Sequence, residues 1–334
     1  MIIELISNYG LFLLKTITIV VSIIIIISVI VNSKKNTTVG SLEVQSINKD
    51  LDSLEEGIKK NILSKQEFKK FVKSKKKNSK KLSNKIFVID FKGNIKASEI
   101  ISLRREISGI LLSFKKGDEV LLRLENSGGT VHEHGLAASQ LKRIRDKNIP
   151  LTICVDKVAA SGGYMMACVA NKIVASPFAI IGSIGVIAQV PNFNKLLKNK
   201  GVDFEQQTAG NYKRTVTMFG KNTDKDRKKL KEQLEDIHSL FKEFIKDNRR
   251  NLDVEKVSTG EYWYGKDALK LKLIDKILTS DEYIISMKDR FEIVRIKYKP
   301  AKSISDKLSK LSTNISSKLF QKFEQKDYDS NLFK

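Results

Sequence analysis

The chain has 334 residues, 41% of them hydrophobic, and its 61 Lys and Arg against 38 Asp and Glu give a formal charge of +23. That length and apolar content exclude a disordered chain or a small stapled fold and allow one large or two small domains with a real core. The charge selects an anionic partner, nucleic acid or lipid, and two cysteines alone leave the redox compartment open.

The N-terminal elements choose between those partners. From Leu11 to Val31 the run LFLLKTITIVVSIIIIISVIV carries one charge, Lys15, and its length matches the ~20 residues that cross a bilayer. The run lacks a basic n-region, and NSKKNTT after it offers no small-x-small cleavage site. Residues 1–32 are therefore expected to be a retained transmembrane anchor, not a cleaved signal peptide. Residues 33–85 are polar and rich in lysine, culminating in KSKKKNSKKLSNK. They read as a basic juxtamembrane linker with helical pieces at SLEEGIKKNIL and KQEFKKFVK. Beside an anchor, such lysines read as contacts to anionic headgroups, and no nucleic-acid partner is expected. Lys34 and Lys35 point by the positive-inside rule to a cytoplasmic domain, although long domains are translocated despite such charges.

A soluble domain is expected over residues 86–298. IFVIDFKGNI (Ile86 to Ile95) reads as a strand, and SEIISLRREISGILLSF as a helix with Ile100, Leu103, Ile107 and Leu111 on one face. EVLLRLEN is a second strand, broken at Ser127-Gly128-Gly129. Then come HEHGLAASQLKRIRDK as helix, IPLTICV as strand, GGYMMACVA as helix, and NKIVAS and VDFEQQTA as strands. Alternating strands and helices predict an α/β domain with a largely parallel sheet. In such sheets ligands bind at the carboxyl ends of strands, and two of these ends carry paired glycines, Gly128-Gly129 and Gly162-Gly163. Thr223 and Asp226 cap a helix whose Leu230, Leu234, Ile237, Phe241, Phe244 and Ile245 form an apolar stripe through about Asn248. GKDALKLKLID is a shorter helix, and residues 299–334 form a basic amphipathic tail whose apolar positions could dock on lipid, on a neighbouring subunit or on nothing.

Ser161 leaves an apolar strand and precedes two glycines, the pattern of a nucleophile elbow and equally of a small-residue turn. As a nucleophile, Ser161 needs a base and an oxyanion hole. The amides of Gly162 and Gly129 are placed to form the hole. His132 and His134, close in sequence to Gly129, and Lys213, in TAGNYKRTVTMFG, are the candidate bases, and a lysine serves only where burial removes its charge. The H-x-H pair has no supporting ligand cluster, so no metal or other cofactor is expected. His238 reads as a surface or interface residue.

The stretches LRLENSGGTVHEHGLAASQL, VDKVAASGGYMMACVANKIVASPFAIIGSIGVI, FEQQTAGNYKRTVTMFG, TGEYWYG and LKLIDKILTSDEYI together resemble the signal peptide peptidase A (protease IV) family, most closely its SohB-type members. The resemblance covers about Leu121 to Ile284, and the anchor and basic linker fit the SohB arrangement. It implies a ClpP/crotonase-like fold with a mostly parallel sheet and a Ser-Lys dyad protease. Ser161 in ASGGY is then the nucleophile, and Lys213 in AGNYKR, 52 residues on, the general base. Ser183 in IGSIGV orients the lysine, and Gly129 and Gly162 take the oxyanion positions. The family cuts peptides or unfolded segments, including remnant signal peptides, at the bacterial inner membrane. Its members assemble into rings, so a homo-oligomer is implied, with the SohB-type domain on the periplasmic face. The sequence departs at Asn126-Ser127, where the family more often has Ser-Pro, so a fixed φ is lost before the two glycines. Two other readings stand beside this one. One is an acyl-CoA enzyme of the same fold using Glu125 and Glu133, and the other is a non-catalytic membrane scaffold.

Overall fold

The structure, a computed structural model, describes residues 2–33, 40–77, 82–93 and 99–300. The chain divides into two compact units, and the larger is Leu42–Lys299. In the other, α1 (Ile2–Ser33) is a continuous helix whose Ser7–Ile27 stretch is long and apolar enough to cross a membrane. The hydroxyls of Thr16 and Thr18 donate back to the carbonyls of Phe12 and Leu14 at 2.8 and 2.7 Å, so neither needs a partner outside the helix. The expected basic tail, apart from its first two residues, lies outside the described residues.

The larger unit opens with β1 (Ser41–Ser46), α2 (Ile47–Ile62), α3 (Lys65–Lys77) and β2 (Lys85–Gly93). It continues through α4 (Ile100–Ser113), β3 (Glu119–Asn126), α5 (Val131–Asp146), β4 (Leu151–Val155), β5 (Val158–Ala160), α6 (Gly162–Ala167), β6 (Lys172–Ala175) and β7 (Ile180–Gly182). The remainder is α7 (Asn194–Asn199), α8 (Asp224–Asn248), α9 (Val254–Val257), β8 (Tyr262–Tyr264), α10 (Gly265–Lys270), β9 (Lys276–Ile277), α11 (Ser280–Met287) and β10 (Glu292–Lys299). The main sheet runs β1-β10-β2-β3-β4-β6-β9, and its registered pairs from β10 to β9 are parallel. The mostly parallel α/β sheet expected from the alternating pattern is therefore present.

Side chains on β2 alternate between two cores, as a pleated strand buried on both faces requires. Phe87, Ile89 and Phe91 enter the larger cluster, and Ile86 and Val88 the smaller. β3 forks the sheet: Val120 to Arg123 pair with β4, whereas Asn126 pairs with Ala159 of β5. From β5 a short branch continues to β7 in parallel and to β8 in antiparallel. The fork creates a second set of strand ends beside β3, and the glycine pairs sit there. Cys154 and Cys168 are free and buried, and burial pushes both thiols far above the usual range, which leaves them unreactive.

Two expectations are corrected. Within the stretch 33–85 read as a linker, the described residues from Leu42 onward belong to the larger unit. β1 pairs with β10, and Ile47 and Leu51 of α2 cover the smaller core. The Asn48 side chain donates to the carbonyls of Lys288 and Phe291, both at 3.1 Å, and accepts from the Ile293 amide at 2.6 Å. The dense charge of α2 hid this, because only its first turn and a half is apolar toward the sheet. VDFEQQTA forms no strand: its residues are exposed and irregular.

Candidate active site

Ser161 stands between the end of β5 and the start of α6 with φ 52° and ψ −120°, in the left-handed region that non-glycine residues rarely enter. Its amide donates to the Gly182 carbonyl at 2.7 Å, and its own carbonyl receives the Tyr164 and Met165 amides at 2.9 and 3.0 Å. The strand therefore turns into a helix within one strained residue, the geometry that lifts a hydroxyl out of the sheet. Neighbouring glycines make the turn possible. A Cβ on Gly128, at φ 93°, would lie 2.7 Å from the Ser161 Cβ, and one on Gly163 would lie 2.2 Å from the Asn126 carbonyl oxygen.

The structure brings Ser161 together with both expected oxyanion glycines. A narrow cleft of about 20 Å³ is lined by Gly129, Ser161 and Gly162, with Val131, Met165, Gly185, Val186, Ile237 and Phe241 closing it. That space is about the size of one water. Gly162 is the first residue of α6, where free amides and the helix dipole both favour a developing negative charge.

Ser183 falls beside Ser161. The register pairs Ala160 with Gly182, so Ser161 and Ser183 emerge from neighbouring strand ends. Ser183 also has positive φ, 49°, and its amide donates to the Glu261 carbonyl at 2.6 Å. Trp263 packs on Gly182, where a Cβ would meet the indole at 2.8 Å. The TGEYWYG motif thus shapes the floor under Ser183.

Lys213 is not brought to this cluster within the one chain. It lies in an irregular segment between α7 and α8, its side chain is exposed, and it does not line the cleft. The chain around α7 packs its own aromatic rings together, Phe219 against Phe193 and Phe204 at centroid distances of 6.1 and 5.6 Å, and leaves Lys213 exposed.

The histidines divide. His132 is exposed. His134 is completely buried against Gly162, where a Cβ would lie 2.4 Å from the imidazole. Its Nδ1 is 2.9 Å from the Thr130 carbonyl and its Nε2 3.2 Å from Asn126 Oδ1. Both ring nitrogens thus face oxygens of the turn, and the ring supports it from below. Asn126 Oδ1 also accepts the Gly128 amide at 2.7 Å. This is the answer to the missing Ser-Pro: the loop that carries Gly129 is tied by a buried side chain to a buried ring. The composition of ENSGGTVHEH holds both partners, but their meeting across one turn of α5 is invisible without the fold. Glu125, the acid of the acyl-CoA reading, instead pairs with Lys92 at 3.0 Å and Lys157 at 3.4 Å and does not line the cleft.

Comparison with known proteins follows the same residues. The model for Peptidase family S49 matches residues 143–293, and that for the Peptidase family S49 N-terminal region matches residues 4–141. The chain belongs to peptidase family S49. Within S49, it is 56% identical over 253 residues to the probable protease SohB of Buchnera aphidicola subsp. Acyrthosiphon pisum, covering 75% of this chain and 74% of that one. It is 42% identical over 345 aligned positions to the probable protease SohB of Haemophilus influenzae, covering 97% of each. A solved mutant of the 1510-N membrane-bound stomatin-specific protease, bound to a substrate peptide, is 16% identical with a TM-score of 0.44, over 70% of this chain and 99% of that one. S49 membership makes this chain a serine-class protease.

Proposed function

We propose that the chain is a membrane-anchored serine endopeptidase of the bacterial inner membrane, with its catalytic domain on the periplasmic face. The proposed substrates are peptides or unfolded segments, remnant signal peptides among them. One observation carries the reading: Ser161 is held in a strained elbow, with Gly162 and Gly129 beside it in a narrow apolar cleft. In this reading Ser161 Oγ attacks the scissile carbonyl carbon as Lys213 Nζ takes its proton. The amides of Gly162 and Gly129 receive the oxyanion. Collapse expels the amine, which takes the proton from Lys213, and water then hydrolyses the acyl ester by the same proton route. Ser183, beside Ser161, orients the ammonium.

A lysine accepts a proton only after burial disfavours its charged form, and Lys213 is exposed in the single chain. Assembly of copies supplies that burial, because the exposed apolar residues of the same segment would be covered with it. The anchor is α1, whose Ser7–Ile27 stretch has the length and composition of a span.

The test is peptide cleavage by the full chain in detergent, comparing wild type with Ser161→Ala and Lys213→Ala from pH 6 to 10. Wild type is expected to gain activity along a basic limb, with both variants folded and inactive. Activity surviving in Lys213→Ala would remove the dyad. A wild type silent on every peptide would favour a scaffold.

A further inference from the structure

The α2–α3 hairpin uses up its own acidic groups. α3 runs back along α2, so that Lys75 reaches Asp52 at 3.0 Å, Glu55 at 3.2 Å and Glu56 at 3.4 Å. Lys288, following α11, meets Asp52 at 2.7 Å, and Lys59 pairs with Glu55 at 2.9 Å while lying 3.9 Å over the Phe71 ring. Glu67, the one acid of α3, closes the helix start by accepting the Ser64 amide at 3.0 Å and hydroxyl at 2.7 Å.

Phe68, Phe71 and Val72 are half-buried on one side of α3, and Lys65, Lys69, Lys70 and Lys73 are exposed. Among the described residues, none of these four lysines has a carboxylate within ion-pair distance. Lys65, Lys69 and Lys73 follow at i, i+4 spacing, so they stand above one another over about 12 Å of helix. Like charges so spaced destabilise a helix, and the interior acids that could neutralise them are occupied. The hairpin is fastened to the sheet through Asn48, Ile47 and Leu51, so this positive face is a rigid part of the domain. The chain that presents it also carries the apolar Ser7–Ile27 span, and Leu42 follows the end of α1 by only nine residues.

We propose that the Lys65, Lys69, Lys70 and Lys73 face of α3 docks on the anionic headgroups of the bilayer that holds α1, so that lipid charge sets the orientation of the protease domain. This rests on the membrane-anchor reading above. Each lysine near an anionic surface multiplies the docked-to-undocked ratio by about fivefold, so replacing three by glutamate lowers it by about a hundredfold or more.

Both native cysteines are buried, so Ser74→Cys, exposed one turn beyond Lys70, takes a thiol-reactive polarity-sensitive dye alone. The full chain is placed in nanodiscs of phosphatidylcholine, with and without phosphatidylglycerol, carrying a headgroup-attached quencher. The expected result is quenching only with phosphatidylglycerol, reversed by 1 M salt, where the screening length falls to about 3 Å. It should be lost in the triple variant Lys65→Glu, Lys69→Glu, Lys73→Glu and retained when the same three become arginine. Unchanged peptide cleavage by the triple variant in detergent verifies its fold. Equal quenching in both lipids overturns the proposal while the anchor stands, since the chain still resists carbonate extraction from neutral bilayers. Extraction by carbonate overturns the anchor reading and the docking with it. A dye response to soluble RNA that matches or exceeds the response to phosphatidylglycerol also overturns it, in favour of a nucleic-acid surface.

Discussion

Asn126→Ala removes the oxygen that accepts the Gly128 amide at 2.7 Å and lies 3.2 Å from His134 Nε2. Asn126 is 1% exposed and His134 is completely buried, so water cannot replace the lost oxygen without opening the turn. The Gly128 amide left unpartnered in such a place costs about 1–3 kcal/mol, and His134 keeps its contact with the Thr130 carbonyl. That loss corresponds in a domain of this size to a melting temperature lower by roughly 2–12 °C. The catalytic effect follows from position. The loop released is the one that carries Gly129, and a misplaced oxyanion donor costs on the order of 10²-fold in kcat, with KM changed much less. Thermal unfolding by circular dichroism and steady-state cleavage of one peptide measure both. A variant that melts within about 2 °C of wild type and cleaves with unchanged kcat would refute the idea that this side chain stands in for the absent proline.

Two further outcomes follow from the described geometry. Ser161→Gly relieves a positive-φ strain of about 1–3 kcal/mol, more than the up to ~1 kcal/mol that glycine gives the unfolded chain. The inactive glycine variant should therefore melt above both wild type and Ser161→Ala, and scanning calorimetry of the three decides it. Burial, with the charges of Glu99 and Asp90 adding to it, pushes the Glu106 carboxyl from 4.5 up to about 7, against the hydrogen bond from the Tyr298 amide. Its folded state therefore holds the proton more tightly than its unfolded state, so stability falls as pH rises from about 4.5 to 7. At pH 8 Glu106→Gln should be more stable than wild type by up to about 3 kcal/mol, and at pH 4 the two should coincide; denaturant midpoints at both values test the sign.

The pattern of apolar runs and turn residues was sufficient to place the α/β sheet. Each strand buried on both faces reads as an unbroken apolar run, as in IFVIDF and LTICV, and local periodicity carries that information. The amphipathic stripe and the Thr223-Asp226 cap of α8 were legible for the same reason: the structure shows the full reciprocal capping box. VDFEQQTA failed because its apolar residues have no strand to pair with, and strand formation is a property of the partner as much as of the segment. The α2–α3 hairpin escaped because charge density describes the surface of a helix and not the one turn that docks.

At the site, the sequence by itself determined which residues have the chemistry: a serine before two glycines, a second glycine pair at another strand end, and a serine after the apolar run that becomes β7. Only the tertiary structure decided their arrangement. The fork at Asn126 puts two glycine pairs side by side, the β5–β7 register sets Ser183 next to Ser161, and the buried Asn126–His134 contact replaces a proline. These are contacts between residues from eight to more than twenty positions apart, and no spacing rule encodes them, because they depend on which strands lie next to each other. For Lys213 the fold adds only its place, exposed on the irregular segment between α7 and α8 and outside the cleft that Ser161 lines.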